Sequence, residues 1–311
     1  MTIKIIIDTD PGCDDAIALL AVLSSSLVDV RGICSIGGNV SSKLTQSNAR
    51  AVCALAGRED VRVYEGCDRP LCKQGAARLA EHIHGEDGLH GLKYPPLPAA
   101  PTLISAHEFI LEETANNAND PITIIAIGAM TNIATAFLKD ETLPHRVKEI
   151  ISMGGAFGNP QGNITPFAEF NMYCDPHAAK IVYDNFPRIR TFPIDLTYQT
   201  LQDEELREWL RSHGAKGVNI ACMLEGYAVT SIQYTGLAQL HDYNTIAALL
   251  EPDIYTYGTG RVEVTEEGEQ EGRTAFIPDP EGNVLVAESV DQARYKALRK
   301  QHLAAYLGQK V

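Results

Sequence analysis

Six short runs rich in β-branched residues punctuate this 311-residue chain: Ile3 to Ile7, Arg31 to Ile36, Val61 to Tyr64, Ile122 to Ile127, Glu149 to Met153 and Ile189 to Ile194. Stretches with helical periodicity, such as Ser42 to Ala56 and Ala106 to Ala118, lie between them. Parallel neighbours in a sheet need a crossover, so strand followed by helix, repeated, builds a largely parallel sheet with helices on both faces. The chain therefore reads as α/β: a Rossmann-like, mostly parallel central sheet flanked by helices, in a single domain spanning 1–311. In such sheets the ligand sits where strands end and loops lead into helices, so the active site is expected at the C-terminal ends of the strands. No breaker-rich linker divides the chain, and the Pro-rich segment Tyr94 to Pro101 reads as a surface excursion.

The first strand end carries the densest charge. Residues 4–20 read KIIIDTDPGCDDAIALL, which places Asp8, Asp10, Asp14 and Asp15 within eight positions. Carboxylates this close need a cation, raised pKa values, or solvation on a loop. Pro11 and Gly12 force a turn, and Asp14 and Asp15 then open a helix, whose first turn favours acidic residues in its own right. Asp8 and Asp10 are two apart on a strand and so point to one side, toward either a cleft or solvent. An all-oxygen donor set without Cys or His at ligand spacing suits Ca²⁺ or Mg²⁺ and would not select Zn²⁺. The other strand ends supply Gly37, Gly38 and Asn39, then Gly128 with Thr131 and Asn132, then Gly154 and Gly155 before the loop GNPQGNITPFAEFNMYCDP. Far downstream, His241 and Asp242 stand together in LHDYNTIA just before a helical run. A His–Asp dipeptide alone is more often structural than functional, but Asp242 is placed to complete a metal shell and His241 to exchange a proton.

Composition excludes several classes of partner. With 26 basic against 40 acidic residues the formal charge is −14, which repels a phosphate backbone and argues against nucleic acid. No uncharged apolar run approaches the ~20 residues of a membrane span. The seven cysteines are odd in number and scattered, as in a protein with reduced thiols, and a strand begins too early to leave room for a signal segment. A cytoplasmic enzyme is expected.

Taken together these segments resemble the nucleoside hydrolases of the inosine-uridine preferring, ribonucleoside hydrolase type. DTDPGCDDAIAL at Asp8 to Leu19 is similar to the family's N-terminal signature, DxDPGxDDxxAL. The likeness continues through GGNV at Gly37, HGEDGL at His84, IGAMTNIA at Ile127, MGGAFG at Met153, GNITPFAEFNMYCDP at Gly162 and LHD at Leu240, in order and over most of the chain. The resemblance implies a Ca²⁺-dependent hydrolase that cleaves the N-glycosidic bond of purine or pyrimidine ribonucleosides. It implies Ca²⁺ ligands at Asp10, Asp15, Asp242 and the backbone carbonyl of Ile127, with Asp10 also the general base for a water. It implies ribose contacts from Asp14, Asn39, Asn163, Glu169 and Asn171, His84 at the nucleobase end, and His241 as proton donor to the departing base. A homodimer or homotetramer is implied as well. The departures from the pattern, Ala129 and Tyr243 where proline is usual, leave the ligating atoms in place. Base preference is not assigned, because Gln233 and Tyr234 fall in a stretch, Tyr227 to Gln239, that does not align. Two alternatives remain: a phosphohydrolase of the haloacid dehalogenase type, which also carries DxD after a first strand, and a non-catalytic Ca²⁺- or ligand-binding protein.

Overall fold

The computed structural model describes residues 2–72, 78–101, 103–158 and 162–309. Its strands are β1 (Ile3–Thr9), β2 (Val28–Ser35), β3 (Val63–Tyr64), β4 (Ile122–Ala126), β5 (Val147–Met153), β6 (Ile189–Phe192), β7 (Tyr255–Val264), β8 (Thr274–Pro278) and β9 (Val284–Val290). They form one sheet in the order β3-β2-β1-β4-β5-β6-β9-β7-β8. The β3-to-β6 part is parallel throughout, as the alternating pattern requires, and β9 adds to β6 in parallel. All six expected strands are present, with ends displaced by a few residues.

Why the strands read as unbroken apolar runs is plain from their packing. Ile5 and Ile7 point into the core on one face of the sheet and Ile6 into the core on the other. Ile125 and Ile124 divide in the same way, as do Ile151 and Ile150. Both faces are covered, so the central residues of these strands stay apolar and no polar alternation marks them.

The last three strands were not expected. β7 runs antiparallel to β9 and to β8, at one margin of the sheet. Only alternate residues toward its end are buried, and Gly258 and Gly260 interrupt the β-branched pattern, which left the segment without a clear signature.

Chain order fixes where a ligand can enter. β1 lies between β2 and β4: the chain runs from β1 to β2 and β3 on one side and returns from β3 to β4 on the other, which opens a crevice at the carboxyl ends of β1 and β4. The helix Cys13–Leu23 leaves from that crevice, buried along its whole length. The 22-residue helix Gly214–Thr235 and the short helix Glu81–His84 pack together above it. Among the described residues no helix is long and apolar enough to cross a membrane.

Candidate active site

The floor of the crevice is made by the turn after β1. Asp15 accepts from Thr9 Oγ1 at 2.6 Å through Oδ1, and from Gly12 N at 2.9 Å and Asn39 Nδ2 at 3.0 Å through Oδ2. It thus serves the helix start, as an acidic first turn suggests, while lying among the other carboxylates. Asp10 Oδ2 accepts from Asn39 N at 2.8 Å, whereas Asp10 Oδ1 is buried with no partner. Side chains at Gly38 or Gly128 would run into the Asp10 carboxylate, so glycine at both positions makes its room. Asp8 departs from expectation: it faces neither cleft nor solvent, but lies 1% exposed with Asn132 Nδ2 donating to Oδ1 at 2.7 Å. A strand's last residues can point at the next loop as readily as into the open, and here the helix after β4 fills that space.

Asp14, Asp15 and Asp242 bring carboxylate oxygens within 4.8 Å of one another. The expected ligands were Asp10, Asp15 and Asp242 with the Ile127 carbonyl. Asp15 and Asp242 are in this group, Asp14 joins them, and Asp10 lies outside that limit while still repelling Asp242. Burial, then the charge of Asp15, pushes Asp14 up to about 7. Burial likewise raises Asp15, and burial with neighbouring negative charge drives Asp10 and Asp242 well above the carboxylate range. Carboxyls this strained in their ionised form, one with an orphaned oxygen, fit a hard cation as their counter-charge. The Ile127 carbonyl stands at the same strand end: its N–H is tied to Asp8 O at 2.8 Å and its oxygen accepts from Asn171 Nδ2 at 3.3 Å.

Above this floor opens a cavity lined by Asp14, Asn39, His84, Ile127, Asn163, Glu169, Asn171, His241 and Asp242 among others. Asp10 and Asp15 lie beneath the lining. Glu169 caps the helix Phe170–Cys174, accepting from Asn171 N at 2.9 Å and from Gly155 N and Met172 N at 3.1 Å, while burial pushes it up to about 7. Asn171 Nδ2 also donates to Met153 O at 3.2 Å. Asn159 to Gln161 of the same loop lie outside the described residues.

The far end of the cavity is aromatic. Tyr227 stacks on His84 with centroids 5.1 Å apart and planes 18° apart, and Tyr234 meets His82 edge-on at 4.8 Å. Sequence reasoning missed Tyr227 and Ser231 and left Tyr234 unassigned. Their spacing of four and three residues on one helix was the available signal. His82 lines the cavity too; Gln233 is exposed and does not. Cys13 N donates to His84 Nδ1 at 3.1 Å, and burial pushes this ring down to about 3. The 3.9 Å approach of Asp14 Oδ1 to that nitrogen is therefore not an ion pair. The Cys13 thiol turns to the carbonyls of His84 and Gly88, as a packing residue. His241 Nδ1 lies 2.6 Å from Thr197 Oγ1, and burial alone pushes His241 from the ordinary histidine value down to about 4.

An oxygen-rich pit beneath an aromatic slot suits a sugar joined to a flat base. Residues 5–297 match the sequence model of the inosine-uridine preferring nucleoside hydrolase family. The chain belongs to that family. It is an N-ribosyl hydrolase, and among the described residues no lysine or arginine lines the cavity to hold the phosphate of a phosphohydrolase substrate. Uridine nucleosidase 1 of Arabidopsis thaliana is 36% identical over 274 residues, 87% of this chain and 81% of that one. The pyrimidine-specific ribonucleoside hydrolase RihA of Citrobacter koseri is 34% identical over 316 residues, 98% of this chain and 99% of that one. The structure of a purine-preferring ribonucleoside hydrolase from Gardnerella vaginalis superimposes with a TM-score of 0.92 at 28% identity, covering 98% of this chain and 99% of the other.

Proposed function

We propose that this nucleoside hydrolase depends on Ca²⁺ and cleaves ribonucleosides to free base and ribose, with uridine preferred over inosine. The observation that carries the reading is the buried, oxygen-only carboxylate cluster under a cavity whose other end is aromatic. The preference for uridine is supported by relatives at 34–36% identity that are named for uridine or pyrimidine nucleosides. Asp10, Asp15, Asp242 and the Ile127 carbonyl would hold the ion, and Ca²⁺ so held would acidify and orient a water.

The chain's own groups carry the rest. Asp10 Oδ1, unpartnered, accepts the proton from the attacking water. Asp14, Asn39, Asn163, Glu169 and Asn171 hold the ribose hydroxyls. As the C1′–N bond lengthens, positive charge builds on the sugar, and the ring of carboxylates around it stabilises that charge. The stacked pair Tyr227 and His84 walls the base end of the cavity, and His241 donates a proton to the base. Burial keeps His241 low while the ring stands alone, but negative charge growing on the departing base favours the protonated ring.

We further read residues 1–311 as one domain, supported by the single continuous sheet, and place the protein in the cytoplasm as a homodimer or homotetramer. Among the described residues no two cysteines are joined by a disulfide, which is consistent with a reducing compartment. Exposed Val218, Val229 and Ile232 along the long helix offer apolar surface for a subunit contact. Base release from uridine, cytidine, inosine, adenosine and guanosine, with and without chelator, tests the reading. Uridine should lead and chelator should stop all five; inosine ahead of uridine would overturn the preference.

A further inference from the structure

The short helix Ile194–Thr197 after β6 ends on a side chain that lies outside the cavity but touches a residue in its wall. Thr197 is fully buried, and its Oγ1 is 2.6 Å from His241 Nδ1. Since His241 lines the cavity and Thr197 does not, the imidazole edge held by the hydroxyl faces away from the base and the Nε2 edge faces toward it. The backbones around the two residues are joined independently of that contact. Leu240 N donates to Thr200 O at 3.0 Å, Gln202 N to Ala238 O at 2.9 Å, and Leu201 bridges Gln239. Main-chain bonds therefore fix where His241 sits, and the hydroxyl is left to fix how its ring is turned.

We propose that Thr197 is a positioning residue for leaving-group departure, holding Nε2 of His241 against the base; this rests on the proposed reading of the site. A hydroxyl both donates and accepts, so the contact survives a change in the ring's protonation. In the step it serves, the C1′–N bond breaks with its electron pair moving onto the base. His241, carrying protons on both nitrogens, gives the Nε2 proton to the base nitrogen. The neutral ring that remains keeps its proton on Nδ1, donated to Thr197 Oγ1. Without the hydroxyl the ring is free to rotate about χ2 and its acidic nitrogen loses its aim.

The test compares Thr197→Val, Thr197→Ser and His241→Ala on uridine, inosine and 4-nitrophenyl β-ribofuranoside, whose phenolate departs without a proton. Thr197→Val should lower kcat on the nucleosides by roughly tenfold or more, part of the ~10²- to 10⁴-fold range of general acid catalysis, with KM little changed. Its rate on the nitrophenyl riboside should stay close to that of the unsubstituted enzyme, and Thr197→Ser should restore most of the nucleoside rate. Equal losses on all three substrates would make Thr197 merely structural and overturn the proposal. If His241→Ala loses nucleoside turnover while Thr197→Val does not, the proposal fails and the reading of the site stands. Full nucleoside turnover in His241→Ala would instead remove the reading beneath it.

Discussion

At the floor of the cavity Asp10, Asp15 and Glu169 are each 2% exposed or less, and each carboxylate takes at least one hydrogen bond from a backbone amide. At the aromatic end Tyr234 is 56% exposed and rests edge-on against His82, itself exposed. The floor grows from loops at the ends of sheet strands, whose positions are set by the two cores; the aromatic end grows from two helices that touch through side chains. A group held by main-chain amides cannot be moved without moving the fold, whereas a ring on a helix face can be exchanged. This contrast accounts for relatives of similar fold that carry names for different bases.

Four measurements would break or sharpen that contrast. The largest effect belongs to the floor: Asp10→Asn should fold normally and lose turnover on every nucleoside by the ~10²- to 10⁴-fold typical of a lost general base. A rate near that of the unsubstituted enzyme would separate the orphaned oxygen from the chemistry. His241→Ala comes next, lowering kcat on inosine more than on uridine, because a purine offers a ring nitrogen to protonate that a pyrimidine lacks in the same place. Equal losses in parallel steady-state kinetics would mean that His241 positions the base or Asp242 instead. At the aromatic end, Tyr234→Ala should shift the uridine-to-inosine ratio of kcat/KM by about tenfold, the scale of one pocket contact, while sparing the nitrophenyl riboside. An unaltered ratio would place the base elsewhere.

The smallest effect is on stability. Burial lifts Asp8, Asp14 and Glu169 to about 7 in the folded, metal-free protein, from ordinary values of 3.8 to 4.5. Groups raised in the folded state contribute stability that is complete below their unfolded pKa and is lost as pH rises through about 7. In chelator, therefore, the melting temperature should fall between pH 5 and pH 8, and Ca²⁺ should raise it more at pH 8 than at pH 5. Melting curves that coincide with and without Ca²⁺ at pH 8 would contradict the cation's place among these carboxylates.

The same contrast explains what the sequence disclosed. Asp10, Asp14 and Asp15 are legible because strand, turn and helix follow within a dozen residues, so that local geometry alone gathers them. Asn39, Asn163, Glu169 and Asn171 were legible through resemblance, and the cavity does collect them. Tyr227 and Tyr234 were not, since helical spacing identifies a face but not what that face is turned toward. Asp8 misled because strand periodicity fixes a side without saying what lies there, and Asn132 lies there. β7 escaped notice because a strand with Gly258 and Gly260 and only alternate burial toward its end lacks the unbroken apolar run that marked β1 and β4.

The central claim is that the buried carboxylates work as a cation site for ribosyl hydrolysis. Reducing sugar released from uridine should be followed in the purified protein, then after exhaustive chelation, then after Ca²⁺ is returned. The account predicts turnover that disappears with the metal and comes back with it; turnover unchanged through chelation would contradict it.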